Sequence, residues 1–222
     1  MNKIIKTTDD GSHTIINTDI QEHYHSTYGA ISESKHIFIE SALYYYLNNF
    51  KKKNISILEI GFGTGLNALL TQQELLAKKT YCVYHSYETN ILEEDIYKSL
   101  NYPKILNIDP AIFYLMHLSP WNKNIPINPF FKLNKILCKI EDAVIEENYF
   151  DIVYFDAFSP NVQPELWTEN IFKKIYYSMK KNAVFATYST KGTVKKALIN
   201  NGFLIEKIPG PLGKREILRA VK

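Results

Sequence analysis

Arginine is nearly missing from this chain: of 26 basic residues among 222, only Arg215 and Arg219 are arginines. Cysteine is as sparse, with Cys82 and Cys138 the whole supply and no Cys-x-x-Cys pair, so no metal site is expected. Both cysteines sit in apolar runs that read as strands, and two buried thiols in a reducing compartment are expected ahead of a disulfide. No stretch approaches the roughly 18 consecutive apolar residues of a membrane span. The start, Met1 to Gly11, carries Lys3 and Lys6 but no apolar core, which argues against a secretory signal. These absences point to the cytoplasm, with no membrane partner.

What is present suits one globular domain: 45% hydrophobic and 22% charged residues in 25.8 kDa. The net charge of +3 does not announce a nucleic-acid binder, so any such role must come from how the lysines cluster.

Along the chain, residues 1–53 read as an N-terminal extension. Lys3–Thr8 and His13–Ile16 flank Asp9-Asp10-Gly11, a strong hairpin turn. Residues 34–50 then carry apolar side chains at helical spacing and end in Lys51-Lys52-Lys53, where positive charge suits a helix C-terminus. From residue 54 to 222, short apolar runs alternate with helical stretches. Strands are expected at 55–60, 81–87, 133–140, 151–156, 182–189, 203–208 and 215–221, with helices at 66–78, 92–100, 166–179 and 192–200. Such alternation predicts an α/β fold with a mostly parallel sheet, here seven-stranded, and Pro209–Gly213 marks a terminal hairpin giving an antiparallel edge. Residues 101–131, with five prolines, read as a long irregular insertion. The whole is expected to form one structural domain.

Glu59-Ile60-Gly61-Phe62-Gly63-Thr64-Gly65 follows a strand and opens a helix. Glycines there let the chain turn sharply and a ligand approach bare backbone. Leu66 stands where a dinucleotide fingerprint needs its third glycine, which argues against a bound pyrophosphate. An acid two residues before the first glycine is how Rossmann-like class I S-adenosylmethionine methyltransferases begin. Carboxylates that would hold the ribose and adenine are found at the next strand ends: Glu88 and Asp142. Each could equally be a helix cap.

The fourth core strand runs Asp151 to Asp156 and continues Ala157-Phe158-Ser159-Pro160. Pro164-Glu165-Leu166-Trp167-Thr168 and Phe172 follow. With Tyr28-Gly29-Ala30, Glu33–Ile39, Gly61–Asn67, Thr187-Tyr188-Ser189 and Gly213–Glu216, this pattern resembles the methyltransferase domain of the MnmC family, including its stand-alone MnmD forms. Those are tRNA 5-(aminomethyl)-2-thiouridine methyltransferases, and the resemblance spans nearly the whole chain. It implies methylation of the 5-aminomethyl group on the wobble uridine of tRNA, with S-adenosyl-L-methionine as cofactor and the anticodon stem-loop as partner. Fused members carry a flavin-dependent oxidase after this domain; with the chain ending at Lys222, no oxidase activity and no FAD are expected. A separate enzyme must then supply the 5-aminomethyl precursor.

The resemblance assigns the catalytic role to Asp156; the cofactor contacts expected from the loop, the strand ends and the resemblance together are Glu59, Gly61, Gly63, Thr64, Gly65, Asn67, Glu88, Asp142 and Asp156. An aliphatic amine, with a pKa near the ~10.4 of lysine, must lose a proton before it can attack a methyl group. A carboxylate at the strand tip can accept that proton and stabilise the charge that grows on nitrogen. Tyr28 and Glu33 would close over the amine, or lie on an ordinary surface. Phe158 or Trp167 would stack on the base, Trp167 alternatively packing the helix behind it. Pro160 and Tyr188 complete the substrate wall. Lys191, Lys195 and Lys196, with Lys214, Arg215 and Arg219, form two basic groups placed for tRNA phosphates, or simply solvated faces. His23 and His25 read as a solvated loop.

Two other functions fit the same fold. One is methylation of small amines without tRNA. The other is a nucleic-acid-binding domain without catalysis, against which the intact glycine loop and carboxylates argue.

Overall fold

The computed structural model describes residues 3–222. The hairpin forms as expected: β1 (Lys3–Thr7) pairs antiparallel with β2 (His13–Asn17), and a short β3 (Glu22–His23) completes a three-stranded sheet. The tight turn does more than join strands. Ser12 Oγ accepts from the backbone N–H groups of Ala30 (3.1 Å) and Ile31 (3.2 Å), and Asp10 Oδ2 accepts from that of Ser32 (2.9 Å). Those are amides of a helix start, left bare because its own N-cap is Gly29. The helix therefore begins at residue 30, ahead of the residue 34 that periodicity suggests: α1 (Ala30–Ser34) runs through a π-helical stretch (Lys35–Tyr44) into α2 (Tyr45–Phe50). Lys51 ends it in a left-handed conformation.

The remaining strands form one sheet. Its parallel centre is β7 (Phe131–Leu137), β5 (Tyr81–Glu88), β4 (Asn54–Ile60), β8 (Phe150–Phe155) and β9 (Met179–Thr187), in that spatial order. Adjacent residues of β4 show how the sheet is covered: Ile57 faces the core that holds the π-helical stretch and α3 (Leu66–Lys78), and Leu58 faces the core that holds α7 (Glu169–Ser178) and α8 (Gly192–Asn200). Strands buried on both faces are continuous apolar runs, which is why they were legible. The terminal hairpin, β10 (Leu204–Pro209) and β11 (Glu216–Val221), pairs antiparallel beside β9 as expected.

Two expectations are corrected. The sheet has eight strands, because β6 (Asn124–Asn128) adds a second antiparallel edge on β7. Pro126 lies within it, tolerable because an edge strand need not use every N–H. Nor is 101–131 irregular: it holds α5 (Tyr102–Leu106), α6 (Pro110–Leu118) and β6. Pro103 and Pro110 sit in the first turns of α5 and α6, where a missing N–H costs nothing. They start helices instead of breaking them. Other elements shift by a few residues, such as α4 (Glu94–Lys98) within the expected 92–100. Cys82 is buried in β5, but Cys138 lies just past β7 and is only half-buried; both are free thiols.

Spatial order reverses between β4 and β8: one run proceeds from β4 to β5 and β7, the other from β8 to β9. Ligands of open α/β sheets lie in the crevice beyond the strand ends at such a switch point.

Candidate active site

The crevice is occupied by a cavity of about 410 Å³, the size range of a small-molecule site. Its floor is the glycine loop. Gly61, Gly63 and Gly65 have φ of +93°, +50° and +73°, a region disfavoured for other residues. At Gly61 a side chain is excluded outright, since a Cβ would stand 2.6 Å from the Asp156 carbonyl oxygen. The loop and the end of β8 are thus pressed together at bare backbone.

Asp156 follows β8 directly, and its N–H donates to Ile60 O (3.0 Å), which anchors it to the end of β4. Asn67, in the first turn of α3, donates from Nδ2 to Asp156 Oδ2 at 2.8 Å. Oδ1 is left without that constraint. Burial pushes the Asp156 carboxyl up to about 7, further raised by Glu33, while the Asn67 bond and Lys214 oppose the rise. Buried Asn67 Oδ1 has no partner among the described residues.

Glu88 closes β5 and faces the loop. Its Oε2 accepts from Gly63 N (3.0 Å) and its Oε1 from Thr89 N (2.7 Å) and Asn90 N (2.8 Å). A carboxylate offers about four lone-pair positions, so one acceptor position remains. The turn after β7 supplies the next wall with Ile140 and Glu141. Lys174 of α7 holds this turn by donating to the carbonyls of Ile140 (2.9 Å), Glu141 (2.6 Å) and Ala143 (2.9 Å).

The opposite end of the cavity is built from the chain's two extremities. Glu33 of α1 accepts from Ser26 N (2.8 Å) and its Oε1 lies 3.2 Å from Lys214 Nζ. That ammonium sits 4.5 Å above the Tyr188 ring. Tyr188 OH donates to Ala157 O (2.8 Å). Tyr28, 48% exposed, leans on the terminal hairpin at Gly213, where a Cβ would stand 2.1 Å from its ring. Phe158 meets Tyr24 edge-on at 5.1 Å, and Glu22 accepts from the Ser159 hydroxyl at 2.9 Å.

The structure therefore gathers Gly61, Gly63, Thr64, Asn67, Glu88, Asp156, Tyr28, Glu33, Phe158, Tyr188 and Lys214 around one cavity, with Gly65 beside it in the loop. Other expected residues lie elsewhere. Glu59 is fully buried under the loop, accepting from Ser86 Oγ (2.6 Å); burial pushes its carboxyl up to about 8, against the Ser86 bond. Asp142 is exposed outside the wall that its neighbour Glu141 joins. Trp167 does not face the cavity: its ring packs on Phe155 (4.8 Å) and its Nε1 donates to Phe158 O (2.9 Å). Pro160, Lys191 and Arg215 also lie outside the wall, Lys191 bonded to Asn161. Arg219 is committed within the protein, paired with Glu206 (2.6 Å), donating to Ser41 O (3.2 Å) and stacked 3.6 Å over Tyr45.

His25 is not a solvated loop residue. It is buried in the cavity wall with Nε2 2.7 Å from Thr64 Oγ1, and burial lowers its pKa to about 4. With Glu22, Tyr24 and Glu141 it was invisible in the sequence, where nothing about local spacing marks β3 as a neighbour of the glycine loop. Among the described residues there is no cluster suited to a metal ion and no helix long and apolar enough to cross a membrane.

Known proteins resemble this chain in sequence and in fold. Residues 115–222 match a family described as S-adenosyl-L-methionine-dependent methyltransferase. Over 225 residues the chain is 29% identical to the tRNA 5-methylaminomethyl-2-thiouridine biosynthesis bifunctional protein MnmC of Leptospira interrogans, covering 92% of this chain and 33% of that protein. The corresponding protein of Campylobacter hominis is 28% identical, covering 93% and 31%. The chain thus spans about a third of the length of these relatives. The crystal structure of MNMC2 from Aquifex aeolicus superimposes with a TM-score of 0.79 at 26% identity, covering 99% of this chain and 70% of that one. Spermidine synthase from Thermotoga maritima shares the fold at a TM-score of 0.59 and 14% identity. The fold is that of class I S-adenosylmethionine methyltransferases, and over nine-tenths of its length the chain is similar to a part of MnmC.

Proposed function

We propose, from this homology and the geometry of the cavity, that the chain N-methylates the 5-aminomethyl group of (2-thio)uridine at the wobble position of tRNA, giving the 5-methylaminomethyl form. The observation that carries the reading is the single cavity that joins a bare-backbone glycine loop to an acid of raised pKa, Asp156, and to a rim of Glu33, Tyr188 and Lys214.

The residues present fit S-adenosyl-L-methionine. The loop brings Gly61, Gly63 and Thr64 into the cavity wall, Asn67 Oδ1 is a buried acceptor lacking a partner among the described residues, and Glu88 keeps an acceptor position suited to a ribose hydroxyl. Glu141, in the wall after β7, would hold the adenine amino group, the role expected of Asp142. Bound there, the cofactor supplies a methyl group made electrophilic by its sulfonium.

The chain's own part is to deliver a neutral amine. Asp156 Oδ1 takes a proton from the substrate ammonium, while Asn67 holds Oδ2 and so fixes the carboxylate plane. Burial favours this: a carboxyl near 7 holds a proton far better than an ordinary one near 4. Freed of its proton, the nitrogen lone pair can attack the methyl group; the secondary ammonium that results keeps its two remaining protons, and Asp156 would release the proton it took to solvent as the product leaves. Phe158, on the Tyr24 edge, is the aromatic placed to stack on the uracil-type base.

Exposed Lys191, Lys196 and Arg215, with half-buried Lys195, would meet tRNA phosphates. The reading places the protein in the cytoplasm, downstream of an enzyme that exposes the 5-aminomethyl group, with residues 1–53 and 54–222 acting as one unit. Incubating the protein with labelled cofactor and tRNA carrying 5-aminomethyl-2-thiouridine, followed by nucleoside analysis, tests it. Label in free polyamines instead would favour small-amine methylation.

A further inference from the structure

Thr64 is gripped from two sides by histidines that belong to neither the sheet nor its covering helices. His25 arrives from the N-terminal extension, just past β3, and its Nε2 lies 2.7 Å from Thr64 Oγ1. His117 arrives from α6, in the segment between β5 and β7, and donates from Nε2 to Thr64 O at 3.1 Å. Thr64 itself is 1% exposed.

Each imidazole is fixed in turn. His117 stacks on Tyr97 with ring centres 4.3 Å apart and an interplanar angle of 7°. Phe113 and Phe62 meet it edge-on at 4.7 and 5.3 Å. Its own carbonyl accepts from Lys135, a buried lysine whose ammonium lies 4.6 Å over Trp121 and 5.5 Å over Phe62. His25 packs edge-on against Tyr102 of α5 at 6.4 Å. Gly65 completes the fit, since a Cβ there would stand 3.0 Å from His117 Nε2. That glycine is required by the histidine as well as by its own positive φ.

Resting on the cofactor reading above, we propose that His25 and His117 are positioning residues that hold Thr64, and with it the glycine loop, in the shape that binds the cofactor. A carbonyl oxygen can only accept, so His117 must carry its proton on Nε2. Burial keeps both rings neutral near pH 7, lowering His117 to about 3 and His25 to about 4. For His117 the Thr64 bond opposes that lowering and Lys135 reinforces it; for His25, Glu33 and Asp10 oppose it. The two segments outside the core alternation thereby acquire a shared purpose: each reaches the same residue of the loop. A loop with three glycines pays heavily in entropy to be ordered, and two side-chain bonds from outside lower that cost at the one residue between Gly63 and Gly65.

The test uses the full chain. His117→Phe keeps a ring against Tyr97 and removes the donor, whereas His117→Gln restores an N–H donor. Thr64→Val removes the hydroxyl that His25 meets, and Thr64→Ser keeps it. Amide hydrogen exchange across 61–66 without ligand should quicken about tenfold in His117→Phe and Thr64→Val, the effect of one bond of about 1.4 kcal/mol. In His117→Phe, affinity for S-adenosylhomocysteine by calorimetry should fall, and cofactor KM should rise, by a similar factor, with kcat within twofold of wild type. His117→Gln should lie within threefold of wild type in both, and Thr64→Ser within threefold in exchange. Unchanged exchange in folded His117→Phe and Thr64→Val overturns the clamp, as does a fall in kcat with affinity intact. If the wild-type chain fails to bind S-adenosylhomocysteine, the cofactor reading falls while the exchange data still decide the clamp.

Discussion

Glu33 and Lys214 meet across the mouth of the cavity, Oε1 to Nζ at 3.2 Å, and so join the first long helix to the last hairpin turn. The pair closes a wall that neither end of the chain could build alone. Hydrogen bonds to charged groups contribute about 1.5–3 kcal/mol when well shielded, and this pair is partly open to water. Glu33→Gln is expected to raise the KM for tRNA about tenfold while leaving the affinity for S-adenosylhomocysteine within twofold. Steady-state kinetics beside calorimetry separate the two effects, and equal losses in both would place Glu33 in the cofactor site instead.

Glu59 gives a prediction about pH. Its folded-state carboxyl is raised to about 8 from 4.5 by burial, so folding favours the neutral form. That contribution is complete below about pH 4.5 and is lost as pH rises through about 8. Asp156, raised to about 7, acts in the same direction. Stability should therefore decline between pH 5 and pH 8.5, by a total on the order of 4 kcal/mol from Glu59. Glu59→Gln, which cannot ionise, should flatten the decline. Urea midpoints at the two pH values measure this, and an identical slope in the variant would contradict it.

Trp167 is expected to matter for stability, not for recognition. Its ring is buried against Phe155, Phe172 and Tyr188, and its N–H satisfies the Phe158 carbonyl. Trp167→Phe should cost roughly 1–3 kcal/mol from lost volume and an unpaired carbonyl. Its KM for tRNA should stay within threefold of wild type. A rise in KM beyond tenfold with an unchanged melting temperature would instead mark Trp167 as a stacking platform.

The exposed basic residues and Arg219 should behave differently. Combined Lys191→Ala, Lys196→Ala and Arg215→Ala should weaken tRNA binding and reduce the slope of log affinity against log salt by about one for each phosphate no longer neutralised. Arg219→Ala should leave that slope unchanged and lower stability, because its guanidinium is already used by Glu206, Ser41 and Tyr45. Filter binding across a salt series distinguishes them.

The contrast between those two groups shows what a sequence can and cannot reveal here. Strands β4 and β8, and the second half of β9, are buried on both faces, so their runs announce themselves, and the glycine loop sits where a strand gives way to a helix. That was enough to place Asp156, Glu88 and Asn67 around one crevice. It was not enough to separate Asp142 from Glu141, since adjacent carboxylates at a strand end are told apart only by the path of the turn that Lys174 holds. Prolines in 101–131 suggested disorder of pattern, yet two of them begin helices. His25 and Glu22 join the site through tertiary contact alone, and no periodicity encodes that.

The central claim is that Asp156 serves methyl transfer to an aminomethyl uridine of tRNA. The direct measurement is transfer of labelled methyl groups to tRNA carrying 5-aminomethyl-2-thiouridine, by the wild-type chain and by Asp156→Asn, with calorimetry confirming that both bind S-adenosylhomocysteine. Label in 5-methylaminomethyl-2-thiouridine with wild type, reduced about 10²–10⁴-fold in the variant, is the expected result. The wild-type rate should also fall as pH drops below about 7, as Asp156 gains its proton. Absence of label in that nucleoside despite cofactor binding, or near-normal turnover by Asp156→Asn, would contradict the account.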